Sequence, residues 1–266
     1  MSSTITFTNR KGGVGKTIGS SVFATYLSAI KGKKVLFVDL DPQGNATTIL
    51  VRTFGFTEDY YTYDEGLEKG DLKPFIVSIS ENMDILPAGR DLADFVYILF
   101  EKFPGRRNKL LRFYLDSLLE PLKESYDYII IDTPPTEGPE SDNAIYASDF
   151  IVVPMQYKEF AVSGTVELQE EIDDNADTAA EVLAVVPQII KMKATAERML
   201  KAEAKESLGD LLTEHAIYDR DRVEGWAIEG IKYKKELFSD HHDRVTWEMY
   251  EAVNEELLER LSEYVI

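Results

Sequence analysis

The stretch TNRKGGVGKT, Thr8–Thr17, decides the fold because it joins a short apolar strand to a helix through a glycine-rich turn. Glycines let the backbone N–H groups of such a turn face a bound anion, which a Cβ would crowd. The N-terminus of the following helix adds partial positive charge. Lys16 would then contact the outer phosphates of a nucleotide, and the Thr17 hydroxyl would ligate Mg²⁺. The sequence therefore predicts a phosphate-binding loop at residues 9–15, called the phosphate loop below.

One position of the phosphate loop departs from the common nucleotide-binding motif. In the pattern G-x-x-x-x-G-K-[ST] the first glycine would stand at Arg10, whereas Gly15, Lys16 and Thr17 match. The loop also contains a second lysine, Lys11, although one lysine is enough to contact a phosphate. The simpler interpretation is a glycine-rich turn before an ordinary helix, with the extra lysine solvated. Carboxylates at other strand ends favour the phosphate-binding interpretation.

Short apolar segments alternate with helical patterns along the whole chain. Continuous apolar strands separated by helices are typical of a parallel sheet that is buried on both faces. We therefore predict an α/β fold, a mainly parallel sheet with helices on both faces, in a single domain spanning residues 1–266. The predicted strands are Ile5–Thr8, Val35–Asp39, Asp84–Leu86, Tyr128–Asp132, Phe150–Val153 and Leu183–Val186. Helices are predicted from Gly15 onward, with Ile18, Val22, Tyr26 and Ile30 in one row, and at Leu110–Leu122, Val162–Ile172, Ala194–Leu208 and Trp247–Leu261. Residues 52–82 have the weakest pattern, with only one short helical signal.

Carboxylates stand at the ends of two predicted strands. Asp39 and Asp41 follow the run VLFV, and Asp132 follows YIII. In open α/β sheets, ligands bind at the carboxyl ends of the strands. An aspartate at a strand end can instead cap the next helix. Together with the phosphate loop after the strand Ile5–Thr8, three strand ends carry suitable groups. We therefore predict a Mg²⁺ site in which Thr17, Asp39 and Asp132 support the ion, largely through water.

Composition limits the class of protein. The 266 residues include no cysteine, which excludes disulfides and thiolate-held iron–sulfur clusters. The apolar runs are too short for a membrane helix and the N-terminus lacks a signal-peptide core, so we expect a cytoplasmic protein. The net charge of −19 is concentrated in residues 134–266, where 13 Lys+Arg face 30 Asp+Glu. That acidity argues against a broadly basic DNA-binding face, although a local basic patch is compatible with it.

Several segments together resemble one protein family. KGGVGKT, VDLDPQGNAT and IIIDTPP are similar to the deviant Walker A, A′ and B motifs of the ParA/Soj/MinD group of P-loop ATPases. The segments ENMDILPAGRDLADF and VVPMQYKEFAVSGTVEL extend the resemblance, which runs from about Thr4 to Ile190 and favours the ParA/Soj branch. It implies a P-loop NTPase fold, ATP or ADP with Mg²⁺ as cofactors, and ATP hydrolysis that is expected to be slow.

The resemblance also implies roles for particular residues. Lys11 matches the signature lysine, which in relatives crosses a nucleotide-sandwich dimer to reach the partner's phosphates. Asp41 matches the aspartate that orients the attacking water, so the catalytic residues would be Lys11, Lys16 and Asp41. Ile18 stands where relatives often have a second hydroxyl residue, which leaves only its backbone N–H for a phosphate contact. The implied nucleotide contacts in the phosphate loop and the start of the helix are Lys11, Gly12, Gly13, Val14, Gly15, Lys16, Thr17 and Ile18. Candidates for contacts with the adenine are Pro187, Tyr218 and Arg220. Tyr218 or Trp226 could stack on a base or belong to the core.

The function implied by the resemblance is ATP-dependent DNA partition. ATP-bound ParA relatives attach to the nucleoid without sequence preference, and a ParB-like centromere-binding protein stimulates their hydrolysis. We therefore expect an ATP-dependent homodimer that is cytoplasmic and nucleoid-associated. Candidate DNA-binding residues are Lys191, Lys193, Arg198, Lys201, Lys232, Lys234 and Lys235, which could equally be solvated helix faces.

Two alternatives remain open. A MinD-like ATPase that cycles on a membrane would need a basic amphipathic C-terminal helix, and the polar positions of EMYEAVNEELLERLSEYVI are mostly glutamate. A scaffold-type ATPase switch would position a protein complex rather than DNA.

Overall fold

A computed structural model describes residues 2–105, 109–175, 177–190 and 195–264, without the side chains of residues 109 and 195–198. Within these residues seven strands form one sheet in the order β3-β4-β2-β5-β1-β6-β7. Every neighbouring pair is parallel except β3 with β4. The strands are β1 Ser3–Phe7, β2 Val35–Asp39, β3 Val77–Ser80, β4 Met83–Leu86, β5 Tyr128–Asp132, β6 Phe150–Met155 and β7 Glu181–Pro187. The predicted α/β fold with a mainly parallel sheet is confirmed.

Helices cover both faces of this sheet. They are α1 Lys16–Thr25, α2 Asn45–Phe54, α3 Asp64–Lys69, α4 Phe95–Lys102, α5 Tyr114–Leu119, α6 Pro139–Tyr146, α7 Ala161–Asp173, α8 Thr195–Leu208, α9 Asp221–Glu229 and α10 His241–Ser262. A wide π-helical turn, Tyr26–Ile30, continues α1. This turn breaks the 3.6-residue period, which explains why Ile30, predicted in the apolar row, is 41% exposed.

Alternate residues of each central strand enter different cores. In β2, Val35 and Phe37 pack on the side of α1, α2, α9 and α10, whereas Leu36 and Val38 pack on the side of α3 to α6. A third cluster joins β6 and β7 to α7 and α8. Successive strand side chains point to opposite faces, so burial on both faces requires an unbroken apolar run. Fully burying one such Leu, Ile or Phe side chain contributes about 1.5–3 kcal/mol.

Other predicted elements were wrong in extent or missing. The helix predicted at Leu110–Leu122 is a short α5 between two 3₁₀ segments, Lys109–Phe113 and Glu120–Ser125. Pro121 lies in the second segment and lacks the N–H that would continue the helical ladder. Residues 52–82, where the pattern was weakest, contain α3, β3 and the end of α2. Helices α2, α4, α6 and α9 were not predicted either, because each spans at most ten residues, too few for a helical period to be recognised.

Candidate active site

The carboxyl ends of three central strands meet at one edge of the sheet. Strand β5 lies between β1 and β2, with Phe7 and Asp39 both paired in register to Asp132. The phosphate loop leaves β1 at this edge and ends at α1. The predicted convergence of the loop with Asp39 and Asp132 is therefore present in the structure.

Lys16 is buried inside the phosphate loop. Its side chain is 5% exposed, and its Nζ donates to the carbonyl oxygens of Asn9 at 3.0 Å and Lys11 at 3.2 Å. Burial lowers the pKa of Lys16, while the nearby carboxylates of Asp132 and Asp41 act in the opposite direction. A buried ammonium enclosed by a glycine-rich loop is suited to binding a phosphate at this point.

Lys11 is placed differently from Lys16. Its Nζ donates to the carbonyl oxygen of Glu159, just before α7, at 3.2 Å, and its side chain is partly exposed. Its backbone N–H donates to Oδ1 of Asn9 at 2.9 Å, and Asn9 in turn donates to the carbonyl of Pro154. The two lysines of the loop thus have separate environments, one inside it and one on its outer side.

Asp39 and Asp41 belong to the turn that follows β2. Asp39 is buried and accepts hydrogen bonds from the N–H and hydroxyl of Thr47, both at 2.8 Å, and from the N–H of Asp41 at 3.1 Å. Burial raises the pKa of Asp39 to about 6, although these hydrogen bonds favour the charged form. Asp41 accepts from the N–H of Gln43 at 3.0 Å. A local turn therefore holds Asp41 near Lys16, where its negative charge partly offsets the lowering of the Lys16 pKa by burial.

Asp132 is the most deeply buried carboxylate of the site. Its Oδ1 accepts from the Ser20 hydroxyl at 3.0 Å, and its Oδ2 has no hydrogen-bond partner among the described residues. Burial, followed by the charge of Asp39, raises the pKa of Asp132, whereas the Thr17 and Ser20 hydroxyls and Lys16 lower it. A buried oxygen without a partner is costly unless a further group binds there.

These groups fit a magnesium ion. The Thr17 hydroxyl and the two close carboxylates of Asp39 and Asp132 provide the oxygen ligands that Mg²⁺ prefers, directly or through water, and Oδ2 of Asp132 has no other partner among the described residues. The described residues contain no cluster of three or more His, Asp or Glu side chains that could hold a metal alone. Few direct protein ligands are usual for Mg²⁺, which keeps several waters.

Gln188 covers the end of the phosphate loop. Gly15 has a φ of +91°, and an ideal Cβ at this position would overlap Oε1 of Gln188. Gln188 is buried directly after β7, and its N–H donates to the carbonyl of Met155 at 2.7 Å. Gly15 is therefore required by its backbone conformation and by the close approach of this side chain.

We expect Gly15→Ala to lower the free energy of unfolding by about 2–4 kcal/mol, because the left-handed backbone and the contact with Gln188 both penalise a Cβ. Chemical denaturation would measure the change. Gly32→Ala is the matched control: its φ is +65° but nothing lies within 4 Å of the new Cβ, so it should lose only about 1–2 kcal/mol. The double variant Gly15→Ala with Gln188→Ala lacks the side chain that meets the new Cβ, so its loss of stability beyond that of Gln188→Ala alone should be no larger than that of Gly32→Ala. If the two substitutions instead lower stability additively, this account is contradicted.

The structure brings the predicted adenine-binding segments near one another. The N–H of Ile217 donates to the carbonyl of Pro187 at 2.8 Å, so the segment that carries Tyr218 and Arg220 runs beside the end of β7. Tyr218 is partly exposed, and Arg220 precedes α9 and lines a cavity of about 570 Å³. Trp226 is 1% exposed and packs on Tyr250, so it is a core residue and not a base-stacking platform.

The candidate DNA-binding lysines are in unequal environments. Lys191 and Lys193 lie outside the described residues, as does the side chain of Arg198, and Lys201 is exposed on α8. Lys232 is 19% exposed, with its Nζ 3.0 Å from Glu229 and 3.8 Å from the buried Asp243. Since its charge is already compensated, Lys232 is poorly placed for a phosphate. Lys234 and Lys235 are exposed.

Sequence reasoning missed several residues that contact the site. Ser20 donates to Asp132, Thr47 donates twice to Asp39, and the Gln156 side chain donates to the carbonyl of Gly13 at 2.7 Å. Ser20 follows Lys16 by about one helical turn, a spacing that could have placed its hydroxyl on the same face of α1. The sequence carries no comparable signal for Gln156 or Gln188, because their contacts depend on the packing of distant strands.

Comparisons with known proteins agree with this geometry. A family model described as an AAA domain matches residues 2–208. The sporulation initiation inhibitor protein Soj of Bacillus subtilis is 40% identical over 169 residues, which cover 63% of this chain and 64% of that protein, less than two thirds of its length. The chromosome-partitioning ATPase Soj of Thermus thermophilus is 30% identical over 209 residues, 77% of each chain.

Solved structures share the fold over nearly the whole chain. Apo McdA of Cyanothece has a TM-score of 0.79 at 23% identity, covering 98% of this chain and 100% of that one. A plasmid partition protein of Borrelia burgdorferi bound to AMPPNP has a TM-score of 0.76 at 22% identity, with coverage of 99% and 100%. No helix within the described parts of the chain is long and apolar enough to cross a membrane. The matched family model and the Soj relative covered over 77% of its length show that the chain belongs to the ParA/Soj family of P-loop ATPases.

Proposed function

We propose that this protein is an ATPase that binds ATP with Mg²⁺ and acts in DNA partition. The observation that carries the proposal is the convergence of Lys16, Asp39 and Asp132 at one edge of the sheet, with an unpartnered carboxylate oxygen among them. The name of the Thermus thermophilus relative, a chromosome-partitioning ATPase, and that of the plasmid partition protein bound to AMPPNP support the same activity for this chain.

Each residue of the site would have a distinct task. Gly12, Gly13, Val14 and Gly15 would present backbone N–H groups to the phosphates, and Lys16 would bind the outer ones. Thr17, Asp39 and Asp132 would hold Mg²⁺, which would neutralise charge on the phosphate oxygens. Asp41 would orient the attacking water. Ile18 would contribute only its backbone N–H, while Pro187, Tyr218 and Arg220 would contact the adenine.

Lys11 would act on the nucleotide of a second copy of this chain. Its ammonium lies on the outer side of the phosphate loop, and its hydrogen-bond partner within the described residues is a backbone carbonyl, so its charge is available to a partner. A cation supplied by another subunit would stabilise the charge that develops during phosphoryl transfer, in the manner of an arginine finger. ATP binding would thereby favour a homodimer, and hydrolysis would release it.

The dimer would bind DNA without sequence preference and respond to a ParB-like partner. Lys201, Lys234 and Lys235 are the described candidates for phosphate contacts. One subunit of an acidic protein offers few such cations, and a dimer doubles them on one duplex. The glutamates along the outer side of α10 do not suit a MinD-like attachment to an anionic membrane.

DNA co-sedimentation with ATP, with ADP and without nucleotide would test this function. We expect binding only with ATP and Mg²⁺, and a slope of log affinity against log salt that changes by about 0.9 for each phosphate contact. Lys234→Glu with Lys235→Glu should abolish binding. Lys33→Glu with Lys34→Glu, which makes the same charge change at two exposed lysines before β2, should retain most of it.

Equal binding without nucleotide, or equal loss in both double variants, would argue against an ATP-dependent DNA surface at Lys234 and Lys235. Failure to bind DNA under every condition, with ATP hydrolysis intact, would favour a scaffold-type switch that positions a protein complex.

A further inference from the structure

Arg10 connects the phosphate loop to two other elements. Its Nε lies 3.0 Å from Oε1 of Glu137, in the loop after β5, and its Nη2 bonds to Oε2 of Glu171 in α7. The Arg10 side chain is 34% exposed, whereas those of Glu137 and Glu171 are 67% and 59% exposed, so water reaches both ion pairs. One guanidinium therefore joins the phosphate loop, the loop that follows Asp132 and the helix that follows Glu159.

The carboxylates around Arg10 have few other cations. They border a small cavity of about 110 Å³ together with Asp142 and Arg112. Arg112 is engaged elsewhere, with its Nε 3.5 Å from Asp142 and its Nη1 donating to the Tyr146 hydroxyl at 2.9 Å. Asp142 keeps Arg112, but without Arg10 the side chains of Glu137 and Glu171 would have no paired cation among the described residues, and like charges at short range repel.

The neighbours of Arg10 in the chain are attached to the same unit of structure. Asn9 donates to the carbonyl of Pro154 at the end of β6 at 2.7 Å, and Lys11 donates to the carbonyl of Glu159 before α7. Arg10 adds a third attachment further along α7. The placement of Lys11 thus depends on how firmly α7 is held against the loop.

We propose that Arg10 is a positioning residue, which holds α7 and the loop after β5 against the phosphate loop and so sets the location of Lys11. The inference rests on the proposed function, in which Lys11 acts across a dimer. Arg10 points into the cavity beside α7, away from the loop interior that encloses Lys16. It therefore occupies the position of the motif's first glycine without taking over a phosphate contact.

Amide hydrogen exchange of the nucleotide-free protein tests the positioning directly. We expect Arg10→Gln to speed exchange at least about tenfold at Lys11, whose N–H donates to Asn9, and in the last turn of α7, which carries Glu171, because the attachment between the loop and this turn is lost. Arg244→Gln is the matched control, since it removes an exposed arginine paired with Glu248 on α10; it should leave these amides within threefold of wild type. The melting temperature of both variants should stay within about 2 °C, because exposed ion pairs contribute little to stability.

Nucleotide measurements separate positioning from direct chemistry. Arg10→Gln should leave the equilibrium Kd for ATP within threefold while kcat falls about tenfold. The double variant Arg10→Glu with Glu171→Arg reverses the two charges of the ion pair and should recover kcat to within threefold of wild type. Arg10→Glu alone should be the least active of these variants.

Unchanged amide hydrogen exchange in Arg10→Gln would overturn the inference. A loss of kcat that the charge-reversed double variant does not recover would also overturn it, because the guanidinium would then act on the nucleotide itself. A wild-type chain that hydrolyses no ATP would refute the proposed function, while the exchange result would still decide the role of Arg10.

Discussion

Lys16→Ala is expected to weaken ATP binding at least about 100-fold and to reduce hydrolysis to the background rate. Lys16 is the ammonium buried within the phosphate loop, with its charge close to Asp41 and Asp132, and removing it leaves those carboxylates facing the phosphates without compensation. Loss of a single preorganised donor at a reacting centre typically costs about 10²–10³ in rate. Fluorescence titration with an ATP analogue and a phosphate-release assay would measure the two effects.

Lys11→Ala provides the contrast. The Lys11 ammonium contacts the carbonyl of Glu159 outside the loop interior. We therefore expect the affinity for ATP to remain within about threefold of wild type, which corresponds to a change in binding free energy of less than about 1.4 kcal/mol. Hydrolysis and dimerisation should both be lost. An equal loss of ATP affinity in the two variants would show that Lys11 serves the nucleotide of its own subunit.

Asp132→Asn is expected to stabilise the nucleotide-free protein while abolishing Mg²⁺-dependent hydrolysis. The carboxylate is fully buried and burial raises its pKa, so a neutral amide of the same shape avoids the cost of the buried charge and should raise the free energy of unfolding by about 1–3 kcal/mol at pH 7. Ser20 can still donate to the amide oxygen. Urea denaturation at pH 7 would measure the gain, and Asp59→Asn, at an exposed position, should change stability by less than about 0.5 kcal/mol.

The pH dependence of this effect has a definite sign. The pKa of Asp132 is raised by burial, and that of Asp39 rises from 3.8 to about 6, so the folded protein binds more protons than the unfolded chain above pH 4. Asp39 therefore contributes less to stability as the pH rises from about 4 through 6, and Asp132 acts in the same direction as the pH rises above about 4. Asp132→Asn should reduce this fall. A variant that is less stable than wild type at pH 7, or that follows the same pH profile, would show that the buried charge is already compensated.

The sequence predicted the parts of the site that depend on local order. A strand end places its last carboxylate at a known edge, and a glycine-rich turn before a helix has a known use, so Lys16, Asp39 and Asp132 could be assigned from short motifs. The structure adds their register, with Asp39 directly beside Asp132 on the neighbouring strand. It also distinguishes the two loop lysines, which a motif can only place five residues apart.

Features that depend on distant packing could not be read from the chain. Arg10 forms an ion pair with Glu171, which lies 161 residues later in the sequence. Gln188 contacts Gly15 only because β7 ends beside the phosphate loop. The composition of the Lys232–Lys235 segment indicated a basic patch, but Lys232 is held between Glu229 and Asp243. Charge counted along a sequence does not show which cations are already paired.

The mass of Asp41→Ala in solution tests the central claim most directly, because this variant should bind ATP without hydrolysing it. Sedimentation velocity with ATP and Mg²⁺ should show a dimer, with ADP a monomer, and with the added change Lys11→Ala a monomer even with ATP. A monomer of Asp41→Ala at saturating ATP would contradict the account, as would a dimer that forms equally well with ADP or without Lys11.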